Sequence, residues 1–220
     1  MICREDNAGD VVLEARSLRC ERDERLLFEA LDFSLHRGEV LQVEGPNGCG
    51  KTTLLRFLAG LSERCDGQLY WQGEPASSRR WEMAYDSLYL GHDAGVKLAL
   101  TATENLAWCC ALWQRPPRMA MDDALAAVGL QGYEDVPAQS LSAGQRRRIA
   151  LARLYLSAAC LWILDEPFTA IDKQGVINLE ARILEHAQGG GAVVITTHHA
   201  LNLETGLRTI RLGQLGTVSA

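Results

Sequence analysis

Two stretches near the N-terminus alternate apolar and polar positions at the strand period: Val11 to Cys20 and Leu26 to Leu35. The charged run Glu21-Arg22-Asp23-Glu24-Arg25 between them predicts a hairpin turn. After a turn at Arg37-Gly38, Glu39 to Glu44 predicts a short strand. Gly67 to Trp71 predicts another, and Ser87 to Leu90 a buried strand ending at Gly91. From about Thr101 the pattern changes. Thr103 to Trp113 reads as a helix with an N-capping threonine and Glu104 in its first turn, ended by Pro116-Pro117. Met119 to Val128 predicts a second helix stopped at Gly129, and Gly144 to Ser157 a third. Cys160 to Leu164 returns to strand. Gln174 to Gln188 is helical and ends at Gly189-Gly190-Gly191. Ala192 to Thr196 is a buried strand, and Leu207 to Val218 reads as strand and turn.

Strands that alternate with helices imply a mainly parallel sheet with helices on both faces. The helical block between Gly91 and Cys160 interrupts that alternation and reads as an inserted subdomain. The expected division is a core of about 1–92 and 160–220 and a helical subdomain of about 93–159. No internal repeat, low-complexity tract or long linker occurs.

With 220 residues, 47% of them hydrophobic, the chain suffices for one substantial core and a subdomain. A net charge of −6 fits nonspecific nucleic-acid binding poorly. The basic runs Arg79-Arg80 and Arg146-Arg147-Arg148 are short. The most apolar run, Leu154 to Leu164, falls short of the ~18–20 residues that span a bilayer and carries Ser157. The charged N-terminus lacks a hydrophobic signal core. The expectation is a cytoplasmic protein whose membrane role needs a partner. Seven cysteines, at 3, 20, 49, 65, 109, 110 and 160, form no C-x-x-C pair. They read as reduced, mostly buried thiols, with Cys49 the exception, open to alkylation or oxidation.

Residues 45 to 52, Gly-Pro-Asn-Gly-Cys-Gly-Lys-Thr, fit the phosphate-binding pattern G-x-x-x-x-G-K-[ST]. Such a match arises by chance in on the order of one in a hundred chains of this length. The glycines allow a tight turn that aims N–H groups at anionic oxygens. Lys51 brings a cation to the β- and γ-phosphates, and Thr52 a hydroxyl to Mg²⁺. The helix through Thr53 presents its positive end to the phosphates. The apolar strand Leu161-Trp162-Ile163-Leu164 delivers Asp165, suited to the Mg²⁺ side, and Glu166, suited to polarising the attacking water as a general base. Leu141-Ser142-Ala143-Gly144-Gln145 opens a helix and offers either a second anion-receptive helix start or an ordinary serine N-cap.

Taken together these runs resemble the nucleotide-binding subunit of ATP-binding-cassette (ABC) transporters, over nearly the whole chain and in family order. Gly45, Pro46, Asn47, Gly48, Cys49, Gly50, Lys51, Thr52 and Thr53 match the Walker A loop and its helix. Leu141 to Gln145 matches the family signature, with Ala143 in place of a glycine. Leu161 to Glu166 matches Walker B and the catalytic glutamate, Thr169 to Asp172 the D-loop, and Ile195 to His198 the switch histidine and its strand. The resemblance implies a P-loop NTPase (RecA-like) α/β core with an N-terminal antiparallel β subdomain and an inserted helical subdomain. It implies Mg²⁺-dependent ATP hydrolysis in a head-to-tail dimer that sandwiches two ATP molecules. Ser142, Gly144 and Gln145 then act on the partner's nucleotide, while His198 contacts the γ-phosphate and supports the water held by Glu166. His199 reads as structural or solvated. Where the family places a glutamine after its strand, this chain has Gly91-His92-Asp93, and Asp93 is aligned to reach Mg²⁺ through water. Arg22 aligns with the family's adenine-stacking aromatic and reads equally as a solvent-exposed turn residue.

Cys20 to Arg25, Leu88 to His92, Gly95-Val96-Lys97 and Leu100 to Leu106 are similar to the haem-export ATPase subunits of bacterial cytochrome c maturation. That resemblance implies a membrane-embedded permease partner, haem-handling membrane proteins and a periplasmic haem chaperone, whose haem-loaded form ATP hydrolysis releases. The place implied is peripheral, on the cytoplasmic face of the inner membrane. Other readings remain open: another importer or exporter, a soluble ABC ATPase acting on nucleic acid or ribosomes, or a catalytically weak subunit. The acidity and single cassette disfavour the second. The set Lys51, Asp165, Glu166 and His198 disfavours the third.

Overall fold

A computed structural model describes residues 11–113, 115–201 and 206–213. Its described residues form two compact units. One holds the residues up to Tyr89, Ala159–Glu166 and the residues from Ile183 onward; the other holds Leu90–Ala158 and Pro167–Arg182.

The first unit contains two sheets. In the antiparallel one, β1 (Val11–Arg22) and β2 (Arg25–His36) pair in register from Val11 opposite His36 to Arg22 opposite Arg25. The strands run further into the charged segment than its composition suggests, leaving a two-residue turn. Asp23 and Glu24 both take positive φ, 52° and 61°, the handedness that matches strand twist in a tight hairpin. β4 (Cys65–Trp71) pairs with β1, and the two-residue β5 (Glu74–Pro75) closes the order β2-β1-β4-β5. The second sheet is built from β3 (Val40–Glu44), β6 (Ser87–Leu90), β7 (Leu161–Asp165), β8 (Ala192–Thr196) and β9 (Leu207–Arg211), in the order β6-β7-β8-β3-β9. The β3–β8, β3–β9 and β7–β8 pairs are parallel. Every residue of β7 and β8 is buried. A parallel strand covered on both faces needs such an unbroken apolar run, whereas β1 and β2 alternate. Helix α1 (Lys51–Leu58) follows β3 and packs on β7 and β8. Leu13, Leu41, Leu54, Trp71, Ile163 and Val194 share one core. A short helix, α2 (Arg80–Tyr85), precedes β6.

The second unit packs α3 (Ala102–Trp113), α4 (Met121–Ala127) and α5 (Ala143–Leu156) around Leu106, Leu125, Leu130, Ile149 and Leu156. The threonine that caps α3 is Thr101 rather than one inside the predicted helix. Its Oγ1 accepts from Glu104 N–H at 3.1 Å, and Glu104 Oε2 accepts from Thr101 N–H at 2.8 Å, a reciprocal capping box. The division between units falls within α6 (Lys173–Gln188). Helices α1, α4 and α6 end alike, with Gly60, Gly129 and Gly190 at positive φ and paired bonds back to the last turn. The predicted end of the chain past Gly213 and the N-terminal charged segment with Cys3 lie outside the described residues.

Candidate functional site: a phosphate loop beside a paired glutamate and histidine

In the first unit, β3 runs into the loop Gly45–Gly50 and then into α1. The loop's glycines answer to measurable constraints. Gly45 has φ +149°, and a Cβ there would lie 2.6 Å from Cys49 Sγ and 2.7 Å from the Leu212 carbonyl. Gly50 has φ +105°, with the Phe28 ring 3.1 Å from where a Cβ would stand. Gly48 faces open space, so its φ of +80° alone favours glycine. Gly50 caps α1 with no side-chain hydrogen bond, so no side chain competes for the helix start. Pro46, Asn47, Gly48 and Thr52 are exposed. Lys51 Nζ donates to the Gly45 carbonyl at 2.6 Å, which ties the ammonium to its own loop. Cys49 is buried. Its sulfur packs under Gly45, contrary to the expectation of an accessible thiol, because the loop turns its side chain inward.

The end of β7 carries the acids. Asp165 is 1% exposed, and its Oδ1 accepts from Thr196 Oγ1 at 2.8 Å. Glu166 follows with φ +48°, which turns the chain out of the strand direction. Its N–H is held by the Thr196 carbonyl at 3.1 Å and by Thr196 Oγ1 at 3.0 Å. His198 Nε2 stands 3.5 Å from Glu166 Oε1. One buried threonine at the end of β8 therefore fixes both acids and precedes the histidine. The sequence places Thr196 in the strand before His198 but gives it no role of its own, since a β-branched residue in an apolar strand looks like ordinary strand. His199 donates its N–H to Thr197 Oγ1 at 2.9 Å. Arg22 is exposed and pairs with Asp23 at 3.3 Å, in keeping with a turn residue.

The second unit holds the signature segment. Ser142 caps α5: its Oγ accepts from Gln145 N–H at 3.1 Å, and Gln145 Oε1 accepts from Ser142 N–H at 2.9 Å. Gly144 approaches the D-loop so closely that a Cβ there would be 2.9 Å from the Ala170 carbonyl. Ala143 is exposed, so its methyl group meets no obstacle where the family has glycine. Ala170 has φ +62°. Asp172 accepts from Gly175 N–H at 2.9 Å and pairs with Arg148 Nη2 at 2.7 Å. The Gly175 amide, followed by the Arg148 charge, holds the Asp172 carboxyl below its ordinary value. His92 and Asp93 are exposed in this unit.

The fold and the ordered motifs define an ATP-binding cassette. The ABC transporter family model matches residues 28–169, so the chain belongs to the ABC transporter family. Among curated proteins it is 57% identical over 203 residues to the cytochrome c biogenesis ATP-binding export protein CcmA of Pseudomonas putida KT2440, covering 92% of this chain and 97% of that one. It is 53% identical to the CcmA protein of Aliivibrio fischeri, covering 92% of this chain and all of that one. An ABC transporter ATP-binding protein from Pyrococcus furiosus superposes with a TM-score of 0.76 at 25% identity, over 91% of this chain and 96% of that one. A dimeric ATP-binding cassette solved in a post-hydrolysis state with ADP and Pi gives 0.77 at 20% identity, over 91% and 94%.

Proposed function

We propose that the chain is the ATP-hydrolysing subunit of a membrane ABC complex of cytochrome c biogenesis, working as a head-to-tail dimer around two ATP molecules. The observation that carries the catalytic part is the Glu166 carboxylate, recessed, set beside His198, and pinned through its backbone to Thr196. A carboxylate so held orients a water and takes its proton as that water attacks the γ-phosphate. His198, exposed next to it, keeps the carboxylate turned toward the reacting phosphate. Lys51 and the backbone of Gly45 to Thr53 bind the phosphate tail and neutralise its charge. Ser142, Gly144 and Gln145 bind the nucleotide held by the other subunit. The helical segment 93–159 and the remaining core form one nucleotide-binding domain.

The oxygen donors of this chain fit Mg²⁺. Thr52 would supply a hydroxyl and Asp165 a carboxylate; Asp93 is a separate candidate, as a carboxylate that would act through water. Among the described residues no cluster of three or more His, Cys, Asp or Glu side chains could cage a metal by itself. Mg²⁺ suits such a sparse set, because it keeps water and phosphate oxygens as ligands. When bound it neutralises charge on the phosphates.

No helix among the described residues is long and apolar enough to cross a membrane. In this reading a permease subunit supplies the membrane part, and the chain is peripheral on the cytoplasmic face of the inner membrane. Haem-handling membrane proteins and a haem chaperone are the further partners. The test is capture of the full-length Glu166→Gln chain from native membranes with ATP present, with co-purifying proteins identified by mass spectrometry. A haem-handling membrane protein together with a haem chaperone is expected. An unrelated permease would leave the ATPase chemistry standing and overturn the haem assignment.

A further inference from the structure

Residues 91–100 form neither helix nor strand, yet side chains of their own unit grip their backbone at successive points. Arg147 on α5 is only 4% exposed, and its Nη1 donates to the carbonyls of Gly91 at 2.7 Å and His92 at 3.2 Å. Further along α5, Arg153 Nη2 donates to the Gly95 carbonyl at 2.9 Å. On α3, the buried Asn105 accepts from Lys97 N–H at 2.8 Å and donates to the Lys97 and Leu100 carbonyls at 3.0 and 3.2 Å.

Of these grips, that of Arg147 is the least expected. Arg146-Arg147-Arg148 reads in sequence only as a short basic run. Burying a guanidinium is costly unless strong bonds compensate. Here a charged donor meets two carbonyls, bonds stronger than neutral ones. They fall on the two residues just ahead of the exposed Asp93. Arg147 also lies little more than one helical turn from Ser142, the cap of the same helix.

We infer that Arg147 is a positioning residue for ATP hydrolysis: it ties the backbone at Gly91 and His92, and so the placement of Asp93, to the helix that begins at Ser142 and Gly144. The inference rests on the nucleotide-sandwich reading above. Its role is to hold the backbone through the Gly91 and His92 carbonyls. It makes the loop and the signature end of α5 move as one piece, so that engagement of one sets the other. A lysine keeps the charge without the fixed planar fork. A glutamine loses the charge and shortens the reach.

The test compares wild type, Arg147→Gln and Arg147→Lys in the full-length chain. The readouts are amide hydrogen exchange across 91–95, affinity for a fluorescent ATP analogue, and turnover. Arg147→Gln is expected to speed exchange in that segment by about tenfold and to lower kcat by about tenfold, with ATP affinity within about twofold. Arg147→Lys should fall between the two on exchange and on kcat. A folded Gln variant with wild-type exchange and wild-type kcat overturns the inference. So does a fall in kcat with no change of exchange at 91–95. If the Gln variant does not fold, the Lys variant decides: wild-type values in both readouts overturn the inference. The exchange arm needs no turnover. Absence of ATP binding or hydrolysis in the wild type would instead count against the nucleotide reading.

Discussion

The imidazole of His198 faces the carboxylate of Glu166, with Nε2 and Oε1 3.5 Å apart. The two are unequally exposed: 68% of the His198 side chain is open, against 19% of Glu166. Glu166 also holds a left-handed backbone, a conformation that costs a non-glycine residue about 1–3 kcal/mol unless its surroundings hold it. Two bonds from its N–H to Thr196 help to hold it here.

Glu166→Gln should keep ATP binding and slow hydrolysis by about 10²–10⁴-fold, the span for loss of a general base. The amide keeps the size and the backbone contacts of the glutamate and loses only the ability to take a proton. Nucleotide binding by fluorescence and phosphate release over time separate the two effects. Wild-type turnover in this variant would remove Glu166 from the chemistry.

Thr196→Val should lower both stability and turnover. Its hydroxyl donates to Asp165 and accepts from Glu166 N–H, and the residue is fully buried. Valine fills the same space but leaves the Asp165 oxygen without that donor, a loss of about 1–3 kcal/mol. Chemical denaturation gives the stability change, and phosphate release the kinetic one. A variant as stable and as active as wild type would mean that the Thr196 hydroxyl positions neither acid.

Contiguous parts of the site were legible in the sequence because one short run carries each of them. Gly45 to Thr52 is continuous, and its positive-φ glycines are local requirements. The apolar runs of β7 and β8 also stood out, since burial on both faces forbids polar interruption. What escaped is set by contacts between distant segments. Arg147 and Arg148 are neighbours in sequence, but one is buried against the loop after β6 and the other pairs with Asp172. Helix α2 buries only Met83 and so carries no apolar period to read. Gly191 looked like part of a helix stop. A Cβ there would lie 2.3 Å from the His186 ring, which stacks on Trp162 at 3.7 Å.

Burial pushes the thiols of Cys20, Cys65, Cys109 and Cys110 up from their ordinary value. Since the thiolate is the reactive form, native protein at pH 8 should react slowly with iodoacetamide at these positions and rapidly once unfolded. Cys49 should be protected with them, because it is buried. The sign for stability follows from the same shift. A folded-state thiol value above the unfolded one favours the native state fully at lower pH. That contribution is lost as pH rises from about 8.5, where unfolded thiols ionise, toward the raised native values. Denaturation midpoints should therefore fall on the alkaline side. Rapid native labelling of Cys49 would show that the phosphate loop opens readily.

Gly144→Ala and Ala143→Gly, adjacent and opposite in kind, test how the signature meets the D-loop. A methyl group at 144 would stand 2.9 Å from the Ala170 carbonyl, a backbone atom that cannot swing aside as a flexible side chain does. Ala170 already holds φ +62°, so the D-loop has little freedom to retreat. The expected cost is about 1–3 kcal/mol of stability, as for other overpacked contacts. Turnover should fall by about tenfold or more, because Ser142 and Asp172 lie on the two segments forced apart. Ala143 points to solvent, so glycine there should change turnover by less than about twofold while costing up to about 1 kcal/mol of helix propensity. Thermal denaturation and ATP hydrolysis of both variants give the comparison. Equal, small effects at 143 and 144 would mean that the close approach of Gly144 to Ala170 is dispensable; a large effect at 143 alone would place the critical glycine of this signature one residue earlier.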